Sequence, residues 1–173
     1  MRKCIFNRAI FLVVAEILFV GAGCTTFSPG SMLSADRISQ TFFDELQRSH
    51  KREAYDLFSK ELAAKISYDQ FEQFMESLQE QWGRLESSES VTMPFHTRHG
   101  ESEVIPASIP TEQIQRYVFE LKYDHAAVNC AMTLIPEDQT YKIAWFSFWG
   151  SDDAMTPELR AKIGELFGRE LEQ

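Results

Sequence analysis

The chain lacks any cluster of basic residues. Its 173 residues are enough for one domain. Lys and Arg together number 17 against 26 Asp and Glu, which gives a formal net charge of -9 at pH 7. Proteins that bind nucleic acids meet the phosphates with grouped Lys and Arg side chains. We therefore expect no nucleic-acid partner.

Common catalytic signatures are also missing. The sequence has no G-x-S-x-G, no phosphate-binding glycine loop and no H-E-x-x-H. His96 and His99 could share a metal ion with Glu101 or Glu103, but no cysteine or third histidine is near, and solvated loop residues are the favoured interpretation. We expect no metal and no cofactor, and we favour a protein that is not an enzyme.

Cysteine is scarce as well, with only Cys4, Cys24 and Cys130. If residues 1–23 are removed and Cys24 is modified, as argued below, Cys130 stands alone and no internal disulfide can form. Cys130 lies in an apolar strand pattern without a neighbouring His or Cys. That pattern is typical of a small buried hydrophobe, with a reactive thiol as the alternative.

No apolar run is long enough to span a bilayer, which takes roughly 20 residues. The run from Ala9 to Ala22 has 14 residues and contains Glu16. It follows a positive segment with Arg2, Lys3 and Arg8, and small residues come after it. This three-part order predicts a secretory signal, with a core helix as the alternative.

The end of this segment, Gly21-Ala22-Gly23-Cys24, resembles the lipobox of bacterial lipoproteins. The resemblance implies cleavage before Cys24, diacylglycerol on its thiol and an acylated amine. Gly21 stands where Leu is usual, so a plain signal or an uncleaved anchor is the alternative. Thr25 implies sorting to the outer membrane by the enterobacterial rule. The mature chain would have 14 basic and 25 acidic residues, a net charge of -11.

This assignment divides the chain into a signal peptide (residues 1–23), a lipidated tether (24–33) and one α+β domain (34–173). The domain opens with three predicted helices. Ser34 is a candidate cap of the first, an apolar pattern from Ala54 to Ile66 marks the second, and Ser67 with Gln70 forms a capping box for the third. The third carries an apolar stripe and ends at Gly83. The stripe comprises Phe71, Phe74, Met75, Leu78 and Trp82.

An antiparallel meander is predicted after residue 83. Residues 84–91 could form an edge strand, residues 93–113 a long excursion or lid, and Gln115–Tyr123 a strand with one wet face. Two further strands follow at 126–135 and 141–149. In the last strand we expect Tyr141, Ile143 and Trp145 on one face and Ala144, Phe146 and Phe148 on the other. A final helix begins near Thr156 and could cover the second face of that strand.

This order of elements resembles the nuclear-transport-factor-two-like, cystatin-like cone, in which a bent sheet wraps a helix and leaves a cavity. The resemblance covers roughly residues 34–149 and also extends to small exported domains of unknown function. It implies helices on a curved antiparallel sheet, here with an added C-terminal helix. The fold carries no function by itself. The residues of this chain that carry the resemblance to the small exported domains are Phe42-Phe43-x-x-Leu46, Tyr55-x-x-Phe58-Ser59-x-x-Leu62, Ser67-x-x-x-Phe71 and Trp82-Gly83.

Several aromatic residues are candidates for a ligand site or a partner surface, with core packing as the alternative. Asp124 and His125 form a possible acid–base pair, but Asp is a common turn residue and we favour a turn. The aromatic candidates are Tyr117, Tyr123, Trp145 and Trp149.

Three functions therefore remain open. The favoured one is a lipoprotein of the cell envelope whose domain binds a small apolar ligand or an envelope protein without catalysis. The second is a cone-fold enzyme that uses Asp124 or His125 with Tyr117 or Tyr123. The third is a structural or dimerising envelope module, which could form a homodimer through the sheet or the final helix.

Overall fold

The computed structural model describes residues 30–91 and 105–167. The expected signal peptide, Cys24 and the pair His96 and His99 lie outside these ranges. Among the helices within them, none is both long and apolar enough to cross a membrane. The elements are α1 (Gly30–Gln47), α2 (Lys51–Tyr55), α3 (Lys60–Lys65), α4 (Tyr68–Trp82), β1 (Leu85–Val91), a 3-10 turn (Thr111–Gln113), β2 (Gln115–Tyr123), β3 (Ala127–Glu137), β4 (Thr140–Gly150) and α5 (Pro157–Phe167).

The predicted α+β class is confirmed. The four strands form one open antiparallel sheet in the order β1-β2-β3-β4, so each strand pairs with its neighbour in sequence. The hairpin between β3 and β4 turns on Asp138 and Gln139, whose φ values are 48° and 67°. Two successive positive φ angles give a two-residue turn whose twist matches that of the flanking strands. β3 therefore continues through Pro136 to Glu137, beyond the predicted end at residue 135.

A cluster of aromatic rings joins the helices to the inner face of the sheet. The Phe42 ring lies 5.6 Å from that of Phe146, and Phe58 lies 5.1 Å from Phe71. The Phe167 ring of α5 lies 4.5 Å from Phe146. All five side chains are at most 5 % exposed. Burial of such a side chain contributes about 1.5–3 kcal/mol, so this cluster is a main source of stability.

Helix α4 matches its prediction. The Ser67 side chain accepts from the amide of Gln70, and the Gln70 side chain accepts from the amide of Ser67. This capping box satisfies two amides that would otherwise lack partners at the helix start. The whole predicted stripe is buried, and Gly83 caps the C-terminus with a φ of 84°.

The boundaries of the first two predicted helices are wrong. Helix α1 begins at Gly30, before the expected cap at Ser34. The expected helix over 54–66 is broken into α2 and α3 by a short extended segment at Phe58. The amide of Ser59 donates to the carbonyl of Ile143 at 2.8 Å, and the amide of Ile143 donates to the carbonyl of Leu57 at 2.9 Å. These bonds to β4 replace the helical bonds that the apolar spacing had predicted.

The expected faces of β4 are also wrong, because a β-bulge interrupts the alternation. Thr133 pairs with Trp145 and Leu134 pairs with Ile143, so Ala144 is the extra residue. A bulge turns the residues beyond it to the opposite face. Ile143 and Phe146 therefore both lie in the core, whereas Trp145 lies on the outer face.

The final helix packs on the same face as the other helices. Leu159, Ile163 and Phe167 of α5 belong to the same core cluster as α1, α3 and α4. The Lys162 ammonium of α5 donates to the Ser77 hydroxyl of α4. Our expectation that α5 covers the second face of β4 is wrong. The described part of the chain is thus one layer of helices on one layer of sheet.

Candidate functional site

A small cavity opens where α4 and the edge of the sheet meet the end of α1, and we call it the Tyr123 cavity. Its volume is about 40 Å³. Its apolar lining consists of Leu46, Met75, Leu78, Leu85 and Tyr123, and Ser49, Lys51, Gln79, Gly83 and Arg84 supply the remaining lining. About 10–15 Å³ holds one water-sized group, so the cavity has room for about three.

Two breaks in regular structure bring these residues together. Helix α1 ends at Gln47, and Ser49 follows with a φ of 61°, which redirects the chain into α2. Helix α4 ends at Trp82 with Gly83 as its cap, and β1 begins at Leu85. Because both helices end beside β1 and β2, their last turns do not close over the ring of Tyr123.

Tyr123 forms the inner wall of the cavity. It is 7 % exposed, and its ring lies 5.1 Å from that of Trp82. Burial, and to a smaller degree the nearby thiol of Cys130, raise the pKa of Tyr123 well above its usual range. Its hydroxyl forms no hydrogen bond within residues 30–91 and 105–167, and it is not among the fully buried atoms that lack a partner. The hydroxyl is therefore accessible to solvent and available to a ligand.

Two cationic residues lie at the rim. The Lys51 ammonium is 2.8 Å from a carboxylate oxygen of Glu76 and is largely buried. Arg84 is exposed, and in the described part of the chain its guanidinium forms no ion pair. No carboxylate lines the cavity. Among the described residues the rim therefore keeps one positive charge outside an ion pair, that of Arg84, although the whole chain carries a net charge of -9.

The link from α4 into β1 is fixed by the turn between β2 and β3. The Asp124 carboxylate accepts from the amide of Arg84 at 2.6 Å, and the amide of Asp124 donates to the carbonyl of Arg84 at 3.1 Å. The amide of His125 donates to the carbonyl of Trp82 at 2.9 Å. Both Asp124 and His125 are exposed. The structure thus gives these two residues the turn that we favoured, and its bonds hold Gly83 and Arg84 beside the cavity.

The four aromatic candidates do not share one cavity. Tyr117 and Tyr123 both face the helices, but they lie at opposite ends of β2, roughly 20 Å apart. Partial burial, and secondarily Asp36, raise the pKa of Tyr117. Trp145 and Trp149 pair with outer-face residues of β3 and lie on the other side of the sheet. Tyr123 alone among the four lines the cavity.

The outer face of the sheet has a partly buried surface of its own. Its buried apolar residues Val118, Ala131, Ile135 and Ala144 are all strand residues and do not belong to the core cluster. Near them, the Trp145 indole nitrogen and the Asn129 side-chain oxygen are buried without a hydrogen-bond partner. Such groups typically destabilise a fold by about 1–3 kcal/mol each.

Cys130 is fully buried, in line with a small core residue. Burial raises the pKa of its thiol. A hydrogen bond with the backbone of Ser147 lowers that pKa, but by a smaller amount. A thiol that keeps its proton is a weak nucleophile. Across residues 30–91 and 105–167, no three His, Cys, Asp or Glu side chains are grouped so that they could hold a metal ion.

Most of the cavity could not be recognised from the sequence. Arg84 and Lys51 are indistinguishable from solvated surface residues in a linear pattern, and Leu46 and Leu85 look like ordinary core positions. The one available signal was the paired break at Trp82-Gly83 and Asp124-His125. Comparisons with protein-family models, curated proteins and solved structures gave no match to this chain.

Proposed function

We propose that this chain is a non-catalytic binding domain, held to a membrane of the cell envelope by lipid on Cys24. The anchor is supported by the sequence alone: basic residues at the start, a 14-residue apolar run and small residues before Cys24. In a Gram-negative cell this places the domain on the periplasmic side of the outer membrane.

The binding role is supported by one observation, the unpartnered hydroxyl of Tyr123 in a cavity with an apolar floor. Small-molecule sites commonly combine an apolar lining with a few placed polar groups. The order of helices and strands also agrees with the proposed cystatin-like cone, in which a cavity at the wide end of the sheet is the expected binding place. Fold similarity of this kind carries no function, so the proposal depends on the cavity.

The anchor is tested by comparing the wild-type chain with Cys24→Ser in the native host. We expect the wild-type chain in the membrane fraction and its mobility to change with globomycin, which blocks the lipoprotein signal peptidase. The Cys24→Ser chain should leave the membrane fraction. If mobility and fractionation are the same in both chains and with the inhibitor, lipid on Cys24 is refuted and export remains.

The binding role is tested by native mass spectrometry of the full chain extracted in detergent, together with a pull-down from the same extract. A retained small molecule or a reproducible envelope-protein partner is the expected result. Tyr123→Phe should reduce retention of a ligand bound in the cavity, and Tyr117→Phe, at the other end of β2, is the matched control. Turnover of a substrate without any retained ligand or partner would contradict the proposal.

A structural or dimerising role is the second candidate, because Trp145 and Trp149 lie on the sheet face opposite α1, α3, α4 and α5. Tryptophan is enriched at the centres of protein interfaces. Size-exclusion chromatography with light scattering on the full chain would detect a dimer. Trp149→Glu should dissociate a dimer formed through this face, whereas a monomeric wild-type chain would exclude self-association as the role.

A further inference from the structure

We propose that the Tyr123 cavity binds a short aliphatic carboxylate, with the hydrocarbon end on the apolar floor and the carboxylate at the rim. This inference deepens the proposed binding function by naming the ligand class, and it rests on that function. Two features of the site carry it: the composition of its walls and the sign of its charge.

The apolar floor determines the hydrocarbon part. Met75 and Leu78 of α4 line the cavity together with Leu46 of α1, Leu85 of β1 and Tyr123 of β2. These side chains offer no hydrogen bond to a polar group. A volume of about 40 Å³ accommodates about three water-sized groups, which suits an isopropyl end rather than a long acyl chain.

The polar groups determine the other end of the ligand. Tyr123 lines the cavity, and its hydroxyl can donate a hydrogen bond and forms none within the described residues. Arg84 has five N–H donors and forms no ion pair there, so it can take a carboxylate with two parallel bonds. The Lys51 ammonium is balanced by Glu76, so the positive charge left for a ligand is that of Arg84. A cationic ligand would meet this charge with no carboxylate in the cavity lining.

The nearest acidic groups do not oppose this assignment. The Asp124 carboxylate accepts from the backbone amide of Arg84, and the Glu76 carboxylate lies against Lys51. Each carboxylate is thus already bonded to a lining residue, Asp124 to the backbone amide of Arg84 and Glu76 to the ammonium of Lys51. The guanidinium of Arg84 is left as the group that a ligand carboxylate can neutralise.

The test is an NMR titration of the full-length chain in detergent with 4-methylpentanoate, N-acetyl-leucine and the neutral isostere 4-methylpentanamide. We expect saturable shifts of the Met75, Leu78 and Leu85 methyl signals with both acids. The amide should bind about tenfold more weakly, since a hydrogen bond to a charged group contributes more than one to a neutral group. Tighter binding of N-acetyl-leucine would indicate a peptide C-terminus as the source, and tighter binding of 4-methylpentanoate a free acid.

Two variants with matched controls separate the cavity from general charge effects. Arg84→Gln should weaken binding of the acids about tenfold and leave binding of the amide unchanged. Arg37→Gln, at an exposed position of α1, should change the binding of neither. Tyr123→Phe should weaken the acids and the amide by a similar factor, with Tyr117→Phe as its control. Arg84 is exposed, so its variant keeps the fold even if Tyr123→Phe does not.

Equal binding of acid and amide, or equal loss with Arg37→Gln and Arg84→Gln, would overturn the carboxylate assignment. Shifts confined to residues outside the cavity would overturn the site. If native mass spectrometry retains a ligand without a carboxylate, the ligand class is wrong while the binding function stands. If neither method detects any binding, both fail.

Discussion

Gly83→Ala adds one methyl group, and we expect it to be among the most destabilising single substitutions in this domain. Gly83 has φ 84° and ψ -157°, a backbone conformation that is essentially limited to glycine. Forcing an alanine into it costs about 1–3 kcal/mol. The new Cβ would also lie 2.6 Å from the Cβ of Asp124 and 2.8 Å from its carboxylate oxygen.

That close approach adds a second cost. Asp124 cannot keep its place, so the bond from the amide of Arg84 to its carboxylate, 2.6 Å long, must lengthen or break. A hydrogen bond to a charged group contributes about 1.5–3 kcal/mol, and less at an exposed site such as this one. Together the two effects predict a loss of about 2–5 kcal/mol in the free energy of unfolding.

Two further variants separate the contributions. Asp124→Gly removes the side chain in the way, so in that background Gly83→Ala should cost only the backbone strain. The double-mutant cycle should therefore show a coupling of about 1–2 kcal/mol. Gly150→Ala is the matched control, because its new Cβ would meet the side-chain end of Val128 at 3.1 Å and no positive φ is involved. Its cost should stay below about 1 kcal/mol.

Urea unfolding of the full-length chain, followed by circular dichroism, gives these free energies directly. For a chain of this size, a loss of 3 kcal/mol lowers the melting temperature by roughly 6–12 °C. A loss under about 1 kcal/mol for Gly83→Ala, or one no larger than that of Gly150→Ala, would refute the reasoning.

Three other substitutions test the remaining structure. Trp82→Phe removes a hydrogen bond of 2.6 Å to the carbonyl of Ala154 and should lower the free energy of unfolding by about 2–4 kcal/mol in chemical denaturation. Trp145→Phe removes a donor that has no partner within the described residues and should lower it by less than about 1 kcal/mol. Equal losses would contradict this. Stability should fall above about pH 8.5, because burial raises the pKa of Cys130 and of Tyr123, so both keep their protons in the folded state while the unfolded chain loses them. Cys130→Ala should flatten the first part of that fall in unfolding curves from pH 7 to 10, and an unchanged slope would argue against a buried thiol.

Local patterns predicted the elements whose stabilising contacts are regular along the chain. The alternation in Gln115–Tyr123 gave β2 with its bounds, and the stripe with the capping box at Ser67 gave α4. In α4 each helical turn, and in β2 each pair of residues, places another apolar side chain on the same buried face. One sequence period is then enough to identify the buried face.

The wrong boundaries have non-local causes. The helix predicted over 54–66 is interrupted because residues near Phe58 bond to Ile143, a partner far away in sequence. The bulge at Ala144 depends on pairing with β3, and no alternation within β4 alone can reveal it. The position of α5 depends on the rings of Phe74 and Phe146, which its Phe167 contacts, and the stripe of α5 alone cannot identify these partners.

The candidate site was predictable only in part, for the same reason. Tyr123 could be named because an aromatic residue at a strand end is conspicuous. Its role follows from residues of α1, α4 and β1 that meet it only after folding. The charge of the rim depends on which cations already have partners, and only the three-dimensional structure shows that Lys51 is paired with Glu76 while Arg84 is not.

The bridge between Phe58 and Ile143 also bears on the order in which the domain can form. The two residues lie 85 positions apart, and β4 provides much of the surface on which α1 and α3 are buried. α1 and α3 therefore lack a large part of their packing surface until the chain past residue 150 has been synthesised. Contacts of such sequence separation slow folding. A nascent chain whose first helices stay incompletely packed until β4 exists is one that a translocation channel can thread, which would suit the export proposed for this protein.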